Sequence, residues 1–303
     1  MAENVVTLIA PQAGDATIGA AAATARQALV TLGGRIGAID WLAAARACDI
    51  PFDALAPDQA DAAIRAALGA GTPIDVLAQP SAGRRKQLLV ADMEATIIAN
   101  EMLDELAALR GIEPQIAAIT RRAMNGEIEF AGAVRERVGL LKDMPEAALA
   151  EAGARIRINP GAAALVRTMR ANGAYTALVS GGFRIYAERV RQLLGFDTSV
   201  ANELVVADGR LVGTVREPIL GREAKLATLT ALAKERGLPF AATLAVGDGA
   251  NDLPMIDAAG MGVAFHAKPS VAAAARLRID HSDLRSLLYA QGYRDSEIVG
   301  GET

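Results

Sequence analysis

Short apolar runs alternate with longer helical segments along most of the chain. The runs at 87–91, 175–179 and 243–246 are almost entirely apolar, which is typical of strands buried on both faces of a parallel sheet. A fourth run, at 261–265, fits the same pattern. Because these runs are separated by segments with helical periodicity, they predict a parallel α/β sheet with helices on both faces.

The first 82 residues have a different pattern and predict a small α+β domain. The segment Gln79–Lys86 has the turn residues and solvated charges of a linker, so we place the boundary between a domain at 1–82 and a second at 83–303. We expect Trp41 in the core of the first domain. Its strands and helices are predicted in a βαβαβ order at 5–10, 19–32, 39–44, 58–68 and 73–78.

A mainly helical insert is predicted between about residues 100 and 157 of the larger domain. Turn residues near 111–114 and 143–145 divide it into several helices. Further along, Leu204–Ala207 and Leu211–Val215 flank Asp208-Gly209, and this dipeptide between apolar runs predicts a β-hairpin.

Polar or glycine-rich residues follow three of the predicted parallel strands. They are Asp92-Met-Glu-Ala-Thr96, Ser180-Gly-Gly182 and Gly247-Asp-Gly-Ala-Asn-Asp252. Ligands bind beyond the carboxyl ends of such strands, so we expect the three segments to share one cleft. The carboxylates of the first and third segments would repel one another, and a hard cation such as Mg²⁺ would relieve that repulsion.

The second segment supplies groups suited to an anion. Backbone N–H groups of Ser180-Gly-Gly182 and of the helix behind it favour phosphate oxygens, and Lys225 adds a positive charge. These parts predict phosphoryl transfer with an aspartate as nucleophile. Each part alone also fits a plainer interpretation, since Asp92 could cap a helix and Lys225 could be a solvated lysine.

Composition narrows the function class. Of 303 residues, 52% are hydrophobic, and 31 Lys+Arg against 35 Asp+Glu give a net charge of −4, which argues against nucleic-acid binding. Cys48 is the only cysteine, so an internal disulfide is excluded and a reducing cytoplasm is expected. No apolar run approaches the roughly 18 residues of a membrane helix, so we expect no membrane partner.

These segments carry a resemblance to the haloacid dehalogenase (HAD) superfamily. Asp92–Thr96, Val179–Phe183, Lys225 and Val246–Asp252 stand in the family's order and at compatible spacing, and the resemblance covers roughly 85–290. The insert is similar to the cap of the phosphoserine phosphatases. The resemblance implies a Rossmann-like parallel sheet with a helical cap, beside the small N-terminal α+β domain.

The resemblance implies roles for the residues at the strand ends. Asp92 would be the nucleophile, and Glu94 the general acid and then the base. Mg²⁺ would be bound by Asp92, the backbone carbonyl of Glu94 and Asp248, with Asp252 supporting the site. The phosphoryl group would be held by Ser180, Gly181, Lys225 and Asn251.

In the insert, the resemblance implies recognition of an amino acid. Glu101 would meet the substrate ammonium and Arg137 its carboxylate, since a guanidinium matches a carboxylate with two hydrogen bonds. Met124 and Phe130 would shield the site from water. Plainer alternatives are surface charges for Glu101 and Arg137, and core packing for Met124 and Phe130.

Two positions depart from the family's pattern. Glu94 stands where an aspartate is usual, and Ala95 where a serine is usual. The additional methylene moves the carboxyl group by about one C–C bond, and a displacement of about 1 Å can cost roughly 10²-fold in rate. We expect Glu94 to serve nevertheless, with its pKa raised so that it can donate a proton.

The resemblance implies Mg²⁺-dependent hydrolysis of O-phospho-L-serine through an aspartyl phosphate, the last step of serine biosynthesis. Two alternatives stay open: the same chemistry on another small phosphomonoester, and a weakly catalytic, phosphoserine-binding regulatory protein. The N-terminal domain resembles a degenerate ACT-like domain, for which amino-acid binding, homodimerisation and support of the fold are the alternatives.

Overall fold

The computed structural model describes residues 2–12, 14, 17–124 and 127–300, with every side chain in these ranges except that of Met124. Apart from a two-stranded hairpin, two sheets organise the described chain. One is antiparallel and lies within the first 80 residues, and the other is parallel and lies between residues 88 and 279.

The N-terminal sheet is antiparallel and has the order β2-β4-β1-β5, with β3 paired to β4. Two helices complete this part of the molecule. In chain order its elements are β1 (Asn4–Ile9), α1 (Thr17–Thr31), β2 (Arg35–Ile36), β3 (Asp40–Ala43), β4 (Ala47–Asp53), α2 (Pro57–Leu68) and β5 (Asp75–Pro80).

The predicted βαβαβ order is wrong, because it omits β2 and the central strand β4. Pro51 and two aspartates in β4 resemble turn residues. The strand forms nevertheless because Asp49 is buried and accepts a hydrogen bond from Thr7 Oγ1 at 2.7 Å. Trp41 was also expected in the core, but its side chain is 42% exposed, because β3 lies off the main path of the sheet and pairs with β4 alone.

The N-terminal sheet is buried on both faces. Val6, Leu8 and Ile50 pack with the helices α1 and α2. Ile9 and Leu77 instead belong to the large core shared with the rest of the chain. Because side chains alternate along a strand, β1 contributes to two cores at once.

The remaining elements follow residue 87. In chain order they are β6 (Leu88–Ala91), α3 (Met102–Arg110), α4 (Glu113–Met124), α5 (Phe130–Gly139), α6 (Ala147–Ala154), α7 (Ala162–Ala171), β7 (Tyr175–Phe183), α8 (Arg184–Leu194), β8 (Thr198–Asn202), β9 (Leu204–Ala207), β10 (Arg210–Val215), α9 (Arg222–Glu235), β11 (Thr243–Gly247), α10 (Leu253–Ala258), β12 (Met261–Phe265), α11 (Pro269–Ala274), β13 (Leu277–Ile279) and α12 (Ser286–Ala290).

The six-stranded sheet is parallel throughout, with the order β13-β12-β11-β6-β7-β8. The prediction of a parallel α/β sheet is confirmed. Neighbouring residues of β6 enter different cores, Leu89 on one face and Leu88 and Val90 on the other. The sequence pattern did not predict the two edge strands, β8 and β13, which have three to five residues each.

Helices α3 to α6 form the insert, and the hairpin β9–β10 joins it. Leu211 N donates to Met144 O at 2.9 Å, and Asp143 N donates to Leu211 O at 2.8 Å. The predicted hairpin is confirmed. Because it bonds to the turn between α5 and α6, it is part of the same layer above the carboxyl end of the sheet.

The two sheets meet through buried polar contacts. The carboxylate of Asp75, at the start of β5, accepts hydrogen bonds from the backbone N–H groups of Asp280, His281 and Ser282 at 2.7–3.1 Å. The segment expected to be a solvated linker is also anchored, since Lys86 is 8% exposed and donates to Gly83 O and Ala241 O. Among the described residues, no helix has the length and apolarity needed to span a membrane.

Candidate active site

The polar segments predicted from the sequence meet at one edge of the parallel sheet. Asp92 directly follows β6 and Asp248 directly follows β11, and these two strands are neighbours. A cavity of about 430 Å³ opens there beneath the insert. Its lining includes Asp92, Glu94, Glu101, Asp104, Thr120, Phe130, Arg137, Gly181, Gly182, Asp248, Asn251 and Lys268.

A buried ion-pair network forms the floor of this site. Lys225 Nζ, on α9, lies 2.7 Å from Asp92 Oδ1 and also donates to Asp252 Oδ1. All three residues are at most 6% exposed. Burial alone would lower the pKa of Lys225, but the two carboxylates outweigh it and raise that pKa. The ammonium is therefore held charged beside Asp92.

Asp252 is fixed by two separate contacts. Its Oδ1 accepts from Lys225, and its Oδ2 accepts from Gly249 N at 2.9 Å. A side chain at Gly247 would collide with the Asp252 carboxylate, so a glycine at this strand end lets the carboxylate approach the backbone. With both oxygens engaged, Asp252 orients Lys225 and the loop after β11.

The acidic cluster fits a hard metal ion. Carboxylate oxygens of Asp92, Asp248 and Asp252 lie within 4.8 Å of one another. Burial raises the pKa of Asp92 well above its usual range, against the opposing charge of Lys225, and burial followed by the charge of Asp252 raises that of Asp248. These oxygen donors are the ligands that Mg²⁺ prefers, and a cation there would relieve their repulsion.

Glu94 connects the loop after β6 with the first helix of the insert. Its Oε1 accepts a hydrogen bond from Met102 N, the first residue of α3, at 2.8 Å. Its Oε2 would lie 2.5 Å from a Cβ placed on Gly182. Burial raises the pKa of Glu94 against the lowering effect of the Met102 N–H. The longer side chain therefore reaches a helix N-terminus, where a carboxylate is stabilised.

The loop after β7 is held from both sides. Ser180 Oγ accepts from Gly182 N at 2.9 Å, and Asn202 Nδ2 donates to Gly181 O at 2.8 Å. Gly181 and Gly182 line the cavity, whereas Ser180 is 2% exposed and lies beneath the lining, as do Lys225 and Asp252. Asn251 is on the lining, beside Gly249.

The insert supplies the opposite end of the cavity. Glu101 lines the cavity, although the residue as a whole is exposed. Burial of its carboxyl group, followed by the charges of Glu94, Asp248 and Asp104, raises its pKa to about 8. Arg137, on α5, is half-buried and donates to Ala133 O at 3.2 Å.

Phe130 and Met124 complete the predicted set on the insert. Phe130 is 41% exposed, and its Cζ would lie 3.3 Å from a Cβ at Gly181, so its ring spans the gap between the insert and the loop after β7. The side chain of Met124 lies outside the described residues.

The structure adds three polar residues to the lining that the sequence interpretation did not name. Lys268 lies three residues after the strand β12, and the strand-end rule could have indicated it. Asp104 is one helical turn after Glu101. Thr120 lies within α4 and has no signal in the sequence; Arg137 Nη1 donates to its Oγ1 at 3.5 Å.

Comparison with known proteins identifies a family whose matched region contains most of this site. Residues 89–257 match the family model described as haloacid dehalogenase-like hydrolase. The chain belongs to this family. The matched region contains the whole ion-pair network and the acidic cluster, and it also contains the insert with Glu101 and Arg137.

Curated HAD relatives carry a more specific name. "Phosphoserine phosphatase" of Streptomyces coelicolor is 38% identical over 233 residues, which are 77% of this chain and 57% of that protein. "Phosphoserine phosphatase" of Methanocaldococcus jannaschii is 39% identical over 205 residues, 68% of this chain and 97% of that protein. The chain spans between 54% and 64% of the first three curated relatives' lengths.

One solved HAD structure matches both sheets. The "had family hydrolase t0658" from Salmonella enterica serovar Typhi superimposes with a TM-score of 0.84 at 27% identity. The superposition covers 97% of this chain and 99% of that one. The N-terminal elements and the HAD fold therefore occur together in another protein.

Proposed function

We propose that the protein is a phosphoserine phosphatase that hydrolyses O-phospho-L-serine to L-serine and phosphate. One observation carries the proposal: a single cavity has the buried network of Asp92, Lys225 and Asp252 at one end and the side chains of Arg137 and Glu101 at the other. The relatives that bear the name of this activity support it.

Asp92 and Glu94 carry out the first chemical step. Asp92 attacks phosphorus, so that an Asp92 O–P bond forms while the bond from phosphorus to the serine oxygen breaks. Protonated Glu94 donates its proton to the departing serine oxygen. Its raised pKa favours the protonated form that this step needs.

The second step reverses the role of Glu94. As a carboxylate, it takes a proton from a water molecule, which attacks phosphorus and restores the Asp92 carboxylate with release of phosphate. Throughout, Lys225 holds one oxygen of Asp92 and so directs the other toward the substrate. The N–H group of Gly181 would bind a phosphoryl oxygen, whereas that of Gly182 already donates to Ser180 Oγ.

We propose Mg²⁺ as the cofactor, bound by Asp92, the backbone carbonyl of Glu94 and Asp248, with Asp252 in a supporting role. When bound, the cation would supply positive charge that offsets the negative charge of the carboxylates and of the phosphoryl group. At the other end of the cavity, Arg137 would bind the substrate carboxylate and Glu101 its ammonium. Phe130 would exclude water.

The same proposal covers the domains and the setting. We assign 1–82 to an ACT-like domain and 83–303 to the catalytic domain. The buried contacts of Asp75 with residues 280–282 favour a supporting role for the N-terminal domain, with homodimerisation as its alternative. The expected setting is cytoplasmic serine biosynthesis.

The test is phosphate release from O-phospho-L-serine by the wild type and by Asp92→Asn, with Mg²⁺ and with EDTA. The proposal predicts turnover that requires Mg²⁺ and is lost in the variant. Binding of phosphoserine without turnover would support the regulatory alternative. Turnover of other phosphomonoesters in preference to phosphoserine would support the broader phosphatase alternative.

A further inference from the structure

Lys268 lies on the wall of the active-site cavity, beyond the carboxyl end of β12. The strand β12 pairs with β11, which leads into Asp248. Lys268 N donates to Asp248 O at 3.4 Å, so the loops after these two strands are joined directly beside the acidic cluster. This lysine has no role in the chemistry proposed above.

The backbone holds Lys268 in one position. Pro269 follows it, and a proline restricts the preceding residue to extended conformations; Lys268 accordingly has φ −56° and ψ 147°. Its carbonyl oxygen accepts hydrogen bonds from Val271 N and Ala272 N, both at 2.9 Å. The point from which the side chain leaves the cavity wall is therefore fixed, although the residue is exposed.

The ammonium group of Lys268 is free to bind an anion. Within the described ranges of the chain, it has no hydrogen-bond partner and no carboxylate within ion-pair distance. Lys225, by contrast, is 2% exposed and is paired with Asp92 and Asp252. Of the two lysines at this site, Lys268 is therefore the one that can meet an incoming ligand.

The cavity lining has a surplus of negative charge. Five carboxylate side chains line it, against two cations, Arg137 and Lys268. A phosphomonoester carries about 1.5–2 negative charges near pH 7, so the surplus opposes its entry, and a cation on the cavity wall attracts it. Because Arg137 lies on the insert, where it would bind the substrate carboxylate, Lys268 is the lining cation left for the phosphoryl group.

We propose that Lys268 binds the phosphoryl group of the substrate as it enters the cavity, and orthophosphate before it leaves. The inference rests on the proposed phosphatase activity, but it concerns the phosphoryl group and not the serine part of the substrate. The contact joins the ammonium group to phosphoryl oxygens. It should therefore be the same for every phosphomonoester and should weaken as salt screens the charges.

The first experiment measures hydrolysis of O-phospho-L-serine and of p-nitrophenyl phosphate, with Mg²⁺, by the wild type, Lys268→Met and Lys268→Arg. Lys268→Met should lower kcat/KM about 10-fold on both substrates, mainly through KM, and high salt should reduce this loss. Lys268→Arg keeps the charge and should restore most of the activity. A loss confined to phosphoserine, or a loss in kcat that salt does not change, would overturn the inference.

Arg276→Met is the matched control, because it removes the same charge outside the cavity. Arg276 is exposed and donates to Gly260 O at 3.4 Å, at the opposite end of β12. This variant should match the wild type in every assay, and comparable losses in Arg276→Met and Lys268→Met would mean that net charge alone is responsible. Neither Lys268 variant should change the melting temperature, and a failure of both to fold would show a structural role instead.

Binding of orthophosphate, measured by titration calorimetry with Mg²⁺, separates this inference from the proposed function. The wild type should bind orthophosphate about 10-fold more tightly than Lys268→Met, whichever phosphomonoester is the substrate. Equal affinities, or no binding by the wild type, would overturn the role of Lys268 even if phosphoserine is hydrolysed. A difference in affinity without phosphoserine hydrolysis would support that role and contradict the proposed substrate.

Discussion

The two ends of the cavity are built in different ways. At the sheet end, Asp92, Lys225 and Asp252 are almost fully buried and hold one another through ion pairs. At the insert end, Glu101 is exposed, and Arg137 donates to a backbone carbonyl of its own helix. The sheet end is preorganised for one reaction, whereas the insert end presents separate groups that can be changed one at a time.

This difference suggests a division of labour. Groups that must be in place when charge develops on phosphorus benefit from a rigid, buried setting. Groups that choose among substrates need only meet the ligand. Changes at the sheet end should therefore affect every phosphomonoester, and changes at the insert end should affect phosphoserine alone.

The largest effect is expected from Lys225→Met. Removing one partner of a buried charge network leaves two carboxylates uncompensated, at a cost of about 3–5 kcal/mol in the free energy of unfolding. Activity on phosphoserine and on p-nitrophenyl phosphate should fall together, by roughly 10³-fold or more. Urea denaturation and phosphate release measure the two effects.

Lys234→Met is the control for that variant, because Lys234 lies on the same helix and is exposed. It should match the wild type in both assays. If Lys225→Met retained most of the wild-type activity on either substrate, the buried ion-pair network would not be needed for catalysis.

Gly182→Ala should act through Glu94. The new methyl group would lie 2.5 Å from Glu94 Oε2, so the carboxyl group must move, and a displacement of about 1 Å costs roughly 10²-fold in kcat. Both substrates should be affected. Gly132→Ala, on α5 with open space around it, is the control and should keep full activity; equal kcat values for the two variants would contradict the role of Glu94.

Arg137→Ala should separate the two ends of the cavity. Loss of a charged hydrogen bond worth about 1.5–3 kcal/mol predicts a fall of roughly 10–100-fold in kcat/KM for phosphoserine, mainly through KM. Activity on p-nitrophenyl phosphate, which lacks the carboxylate, should stay close to that of the wild type.

Arg135→Ala is the matched control for Arg137. It lies on the same helix but points to Glu217, at 2.7 Å, and is exposed. It should leave both substrates unaffected. A comparable loss in Arg135→Ala would mean that net charge on α5, rather than a specific contact, sets the preference.

The smallest effect concerns pH. With a pKa of about 8, Glu101 in the free protein is mostly neutral at about pH 7 and ionised above its pKa. Pairing with the substrate ammonium needs the ionised form, so kcat/KM for phosphoserine should rise a few-fold between about pH 7 and 8.5 relative to p-nitrophenyl phosphate. Glu101→Gln should remove this difference, and an unchanged difference in that variant would exclude Glu101 as its source.

The sheet end is also the part that the sequence predicts best. Parallel strands bring their carboxyl ends to one edge, so apolar runs followed by Asp92 and Asp248 are enough to place both residues in one cleft. That argument needs only local patterns and one rule of topology. The same rule, applied to the run at 261–265, would also have indicated Lys268.

The other features of the fold and the site depend on tertiary contacts, which the hydrophobic periodicity of the sequence does not indicate. The strand β4 contains turn-forming residues and is stabilised by its pairing with β1. Arg84 and Lys86 look like solvated linker charges, but Arg84 pairs with the buried Asp49 and Lys86 is buried. The hydrogen bond between Glu94 and Met102 likewise depends on where α3 begins. The spacing of residues in the sequence does not predict that starting point.

The most direct test of this account is the ratio of kcat/KM for O-phospho-L-serine to that for p-nitrophenyl phosphate, measured with Mg²⁺ for the wild type, Arg137→Ala and Lys225→Met. The account predicts that the ratio falls roughly 10–100-fold in Arg137→Ala and stays unchanged in Lys225→Met, although both substrates become slower there. A ratio that is unchanged in Arg137→Ala, or that falls equally in both variants, would contradict the division between a catalytic sheet end and a selective insert end.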